Sequence, residues 1–157
     1  MKSFLQFGLW ALVASLVAAR IGMYSNGLQA SPRLVDGKLA LCPNKPNCIC
    51  SEQGNDEAHY IPPIALLNAE VTVAIKALKQ AVERSGGKIV RETDTVLTAQ
   101  YTSRLFGFVD DFQARVDVSE MKIHLRSASR VGRSDFGVNL KRVNKIKNHY
   151  LVVSKAQ

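Results

Sequence analysis

The alternation of apolar and polar positions is clearest in the second half of the chain. In FVDDFQARVDV, Phe108, Asp110, Phe112, Ala114, Val116 and Val118 share one phase, while Val109, Asp111, Gln113, Arg115 and Asp117 share the other, the period-two signature of a β-strand. The stretches GKIVRET, TVLTAQYTSRLFG (with Leu97, Ala99, Tyr101 and Leu105 in phase) and MKIHLRSASRV read the same way. A period near 3.6 marks two other segments. EVTVAIKALKQAVERSGG sets Val71, Ile75, Leu78 and Val82 on one helical face over Ala69 to Arg84 and ends in Gly86 and Gly87. SDFGVNLKRVNKIK and its continuation set Phe136, Leu140, Val143, Ile146, Tyr150 and Val153 at helical spacing, with Ser134 or Asp135 as cap and the lysines and arginines on other faces. The order helix, four strands, helix predicts an α+β fold: a four-stranded antiparallel meander with an N-terminal and a C-terminal helix packed on one face.

The alternation also fixes a register. With Ser119 and Glu120 as a tight turn, Val116 faces Ile123, Ala114 faces Leu125, Phe112 faces Ser127, Asp110 faces Ser129, and Asp117 meets Lys122 on the polar side. Asp110 then shares the core face with Phe112, and Asp111 is its more exposed neighbour. A carboxylate on an apolar face needs a partner. Ser127, Ser129, Arg130, Arg133 and the helix start at Asp135 are the candidates, so these residues with Asp110 and Asp111 make the expected polar network or ligand pocket.

The N-terminal 27 residues change the picture of the compartment. Lys2, the apolar run from Ser3 to Ala19 and Arg20 form an export signal, residues 1–23, which reads either as cleaved, since Val17 and Ala19 suit a small-residue rule, or as a retained membrane anchor. Residues 24–40 read as a tether and 41–157 as the folded domain. The chain's 157 residues suit one such domain. All three cysteines, Cys42, Cys48 and Cys50, lie in LCPNKPNCICS. In an oxidising compartment Cys42 and Cys48 can close a loop over the turn-formers Pro43, Asn44, Pro46 and Asn47, whereas Cys48 to Cys50 needs a strained ring, leaving Cys50 free or solvent-facing. A three-thiolate metal site lacks a fourth ligand of diagnostic spacing. No metal and no cofactor is expected.

The net charge of +8 falls mostly after Asp110. Arg126, Arg130, Arg133, Lys141, Arg142, Lys145 and Lys147 raise contact with a small anionic ligand or anionic lipid. Nucleic acid is not an expected partner outside the cytoplasm.

CPNKPNC, FGFVDD, HLRSASRVGRSDFGVN and KRV, in this order, closely resemble an uncharacterised bacterial and plastid-lineage family known as domain-of-unknown-function family 1499. The resemblance runs from about Cys42 to the last helix and departs at Cys50, where serine is expected. It implies an extracytoplasmic, periplasmic or membrane-anchored domain and supplies no activity. Two classes remain: a non-enzymatic binding or envelope-associated structural domain, and a hydrolase-like enzyme using Asp110 or Asp111 with His124 as acid and base. Alternation speaks against the enzyme, because His124 shares a face with Lys122 and Arg126, away from Asp110. No nucleophile elbow or phosphate-cradling loop accompanies it.

Overall fold

A computed structural model describes residues 2–28, 34–67 and 70–155. Its elements are α1 (Lys2–Gly27), β1 (Cys48–Cys50), β2 (Ile64–Ala65), α2 (Val71–Ser85), β3 (Lys88–Glu92), β4 (Val96–Thr102), β5 (Val109–Asp117), β6 (Lys122–Ser129) and α3 (Val138–Ser154). The fold is a mixed helix and antiparallel sheet. Among the described residues the sheet has six strands rather than four, in the order β1-β6-β5-β4-β3 with β2 also pairing β6. The four expected strands are β3 to β6. The two additions are three and two residues long, too short to show a period, and they cover the outer edge of β6.

Every expected pair between β5 and β6 is present, from Asp110 opposite Ser129 to Asp117 opposite Lys122. On one face, Leu97, Ala99, Phe112, Ala114, Ile123 and Leu125 meet Leu78 and Val82 of α2 and Val143, Ile146 and Tyr150 of α3 to form the core. Helix α2 stops at Gly86, whose φ of 99° is the left-handed conformation that favours glycine, and its N–H closes on the Glu83 carbonyl. The expected start of this helix at Ala69 lies outside the described residues.

Three expectations about apolar positions are corrected. Leu105 is 79% exposed because β4 ends at Thr102 and the chain turns, with the Gly107 N–H returning to the Ser103 carbonyl. Phe136 is 91% exposed because it precedes α3, with a φ of 53°. Leu140 is also exposed, since the inward position of that turn belongs to Asn139, which is polar but fully hydrogen-bonded.

The opposite sheet face is polar, yet it is not a solvent face. Asp111, Gln113, His124 and Arg126 are all buried there. Leu39, itself buried, donates its N–H to the Glu52 carboxylate at 2.5 Å, and Glu52 in turn pairs with Arg115 at 2.6 Å. The segment carrying Leu39 and Glu52 thus lies against this face, and the C-terminal end of α1 closes it near Val109. Residues Gln6–Gly27 of α1 are long and apolar enough to cross a membrane. The helix runs through Tyr24 to Gly27, the first part of the expected tether; residues 29–33 of that tether are outside the described residues.

Candidate functional site

The disulfide is Cys42–Cys48, with the Cα atoms 5.6 Å apart. Two of the three sulfurs are thereby used, which removes the three-thiolate metal cluster, and Cys50 is a free, buried thiol rather than a solvent-facing one. Burial pushes the Cys50 thiol above its ordinary value. Inside the disulfide loop, Asn47 is the point of attachment to the sheet: its carbonyl accepts from Ser129 N–H and from the Asn139 side chain, both at 3.0 Å, and its own amide donates to the Gly132 carbonyl at 2.8 Å.

Strand alternation sends the two aspartates to opposite faces, and each meets an arginine. On the helix side Asp110 pairs with Arg142 of α3 at 2.5 Å. The same guanidinium donates to Ser127 Oγ at 3.0 Å and to Asn139 Oδ1, and lies 4.4 Å from the centroid of the Tyr101 ring. Ser127 donates to Asn139 Oδ1 at 2.6 Å, and the Asn139 amide reaches Ser129 Oγ at 3.1 Å. Asp135 receives the N–H of Gly137 and of Asn139, so it caps the start of α3. This occupies one of the helix-start donors that could otherwise hold an anion, the Asn139 N–H.

On the other side Arg130 grips Asp111 through two parallel bonds, Nε to Oδ2 at 2.9 Å and Nη2 to Oδ1 at 2.8 Å. Its remaining nitrogen, Nη1, donates to the carbonyls of Asn26 at 3.2 Å and Leu28 at 3.1 Å, with Ser25 at 3.5 Å. Ser25 and Asn26 lie in the last turn of α1 and Leu28 directly follows it, the end of a helix that attracts a cation. Ser25 is fully buried and its Oγ accepts the Val109 N–H at 2.9 Å. One arginine therefore joins β5 to the end of the apolar helix.

The structure divides the residues expected to form one network between the two faces of the sheet. Asp110, Ser127, Ser129 and Asp135 gather on the helix side, Asp111 and Arg130 on the other, and Arg133 is exposed outside both. Asp111 is the more enclosed carboxylate, its side chain 2% exposed against 13% for Asp110, which reverses the expected order. Arg142, Asn139 and Asn47 lie outside the network that the sequence predicts, where Arg142 reads only as an anion-attracting base. Their signal was Asn139 and Arg142 flanking Val143 on the inward stripe of α3, where a polar residue must have a partner. Of the basic residues expected to attract anions, Arg126 is buried, and Arg130 and Arg142 are enclosed in ion pairs. A cavity of about 350 Å³ adjoins the two networks, lined by Tyr24, Leu28, Lys45, Asn47, Ser129 and Arg130.

His124 lies on the face of Asp111 but opposite Arg115, about 13 Å along the sheet at about 3.3 Å per residue. Its Nδ1 is 3.2 Å from Ser51 Oγ and its Nε2 is 3.7 Å from Glu120. The liganding atoms of Asp117, Glu120 and His124 lie within 4.8 Å of one another. Arg115 and Lys122 already neutralise the two carboxylates, which makes the trio a poor cation site. Burial, opposed by Glu52 and aided by Arg115, holds the His124 imidazole below its ordinary value. The unfolded chain then takes the proton first, so stability falls as pH drops below about 6.5 toward the folded value. His59 behaves oppositely: its bond to Asp56 raises its value, so its contribution is lost as pH rises above about 6.5. His124→Leu is expected to flatten the acid side of a plot of denaturation midpoint against pH and to leave the alkaline side unchanged; an unaltered acid limb would remove His124 as its source.

Residues 38–149 match a protein family described as a protein of unknown function, DUF1499. No curated protein matches the chain. The matched span begins after α1 and contains the disulfide, both aspartates and both of their arginines.

Proposed function

The chain belongs to the DUF1499 family through residues 38–149, and from that membership we propose that it is a non-enzymatic, envelope-associated domain held outside the cytoplasm on its own membrane helix. The observation that carries this reading is Arg130, which holds Asp111 in the sheet with one edge of its guanidinium and the last carbonyls of α1 with the other. A buried bidentate pair aimed at a helix end is a joint, and a joint suits a domain whose position on the membrane matters.

The compartment rests on two supports. Helix α1 has the length and composition to span a bilayer, and Cys42–Cys48 belongs to an oxidising environment. The hydrolase alternative finds less support, since Asp110 and Asp111 are each engaged by an arginine and neither adjoins His124. The test is a topology reporter fused at the C-terminal end, with membrane fractionation of the fusion. The expected result is activity of a reporter that works only outside the cytoplasm, recovered with the membrane as the full-length chain. Activity of a cytoplasm-only reporter would reject the compartment, and release of a shortened product would reject the retained anchor.

A further inference from the structure

The loop between β4 and β5, residues 103–108, lies alongside α1. At Gly22 the two backbones touch: a Cβ there would come within 2.6 Å of the Phe106 carbonyl oxygen and 3.1 Å of the Gly107 Cα, so only glycine permits the approach. Further along the helix the two separate into a crevice of about 570 Å³, with Ala14, Ser15 and Met23 on the helix side and Thr102, Leu105 and Phe106 on the loop side. Leu105 is 79% and Phe106 45% exposed, neighbouring apolar side chains at a loop tip with the exposed Arg104 before them.

The helix supplies a depth scale. Arg20 is exposed and follows the apolar run, the position at which a long basic side chain reaches the headgroups. Ser15 and Ala14 lie about 8 to 9 Å further along the axis at 1.5 Å per residue, well within a hydrocarbon layer of about 30 Å. The crevice runs from Asn26 and Val109 on the domain side of Arg20 to Ser15 and Ala14 on the other side, so the loop residues that share its lining face toward the apolar run. Leu12 and Leu16 of the same helix are also exposed.

We propose that Leu105 and Phe106 form a wedge inserted into the bilayer beside α1, that the crevice between them takes an acyl chain of a membrane phospholipid, and that Arg104 meets a phosphate at the headgroup level. This rests on the reading above that α1 stays in the membrane. The occupant is lipid because one wall of the crevice is the membrane-crossing helix itself, so lipid tails adjoin it wherever that helix is embedded.

Trp10 is the chain's single tryptophan and lies in α1, which makes fluorescence quenching a direct test. The full chain is placed in phosphatidylcholine vesicles whose acyl chains carry bromine. The natural protein reports through Trp10. Trp10→Phe with Leu105→Trp and Trp10→Phe with Phe106→Trp report on the loop, and Trp10→Phe with Val118→Trp reports on the opposite end of the sheet. All three new positions are exposed and lie outside the core. The expected result is loss of most emission at positions 10, 105 and 106 and little loss at 118. Strong quenching at 10 with positions 105 and 106 as bright as 118 would overturn the wedge and leave the anchor standing. An unquenched Trp10 would overturn both. Loop tryptophans shielded from bromine in cross-linkable dimers would assign the crevice to a second copy of the chain and reject lipid.

Discussion

Asp111→Ala is expected to destabilise the folded domain by about 3 to 5 kcal/mol, the range for removing one partner of a buried ion pair. The Asp111 side chain is 2% exposed and that of Arg130 5%, so water cannot replace the lost carboxylate. Two guanidinium donors are left without acceptors in a buried place, and the cation keeps only the carbonyls at the end of α1. The loss is read as a lower urea midpoint at unchanged slope. Asp110→Ala should cost no more, since its side chain retains some contact with solvent. An Asp111→Ala variant within about 1 kcal/mol of the parent would mean that this pair is hydrated like a surface salt bridge.

The second large effect belongs to Arg142. Its guanidinium serves Asp110, Ser127 and Asn139 and covers the Tyr101 ring, so Arg142→Ala strands a carboxylate, breaks the tie between α3 and the sheet and removes a cation–π contact. The expected loss is again about 3 to 5 kcal/mol. The two residues act as one unit, so the Asp110→Ala/Arg142→Ala double variant should lose less than the sum of the single losses, by about 1 to 3 kcal/mol. Additive losses would show that Asp110 and Arg142 are stabilised by other neighbours and that their 2.5 Å contact contributes nothing of its own.

Both effects depend on contacts that the sequence carries unequally. The register of β5 on β6 was legible because alternation and a short turn leave only one pairing that puts Val116 beside Ile123 and Asp117 beside Lys122. The apolar face of α2 and the Cys42–Cys48 pairing were legible for equally local reasons. Alternation says which residues share a face and nothing about what covers it. Asp111 reads as exposed in sequence because Gln113, Arg115 and Asp117 are polar, yet it is enclosed by the end of α1 and by Arg130. The neighbouring segment that carries Leu39 and Glu52 covers the rest of that face without any periodic pattern of its own. Arg142 was missed for a related reason: an arginine one position from a core valine reads as solvated until the aspartate across the interface is known. Phase alone points Leu105 inward with Leu97 and Ala99, and phase ends where the strand does, at Thr102.

The folded domain is fixed to the end of α1 rather than hung from it, and exchange of the Val109 amide reports on that attachment. This N–H donates to Ser25 Oγ of α1 at 2.9 Å, and both residues are buried. It is a sheet amide satisfied by a side chain of α1. Hydrogen exchange is measured on the full chain in a lipid bilayer disc. The expected result is slow exchange at Val109, comparable with the interior β5 amide of Phe112 and accelerated in Asp111→Ala. Exchange at Val109 as fast as at an exposed loop amide, with Phe112 still protected, would show an intact sheet whose contact with α1 does not persist, and would contradict the joint at Arg130.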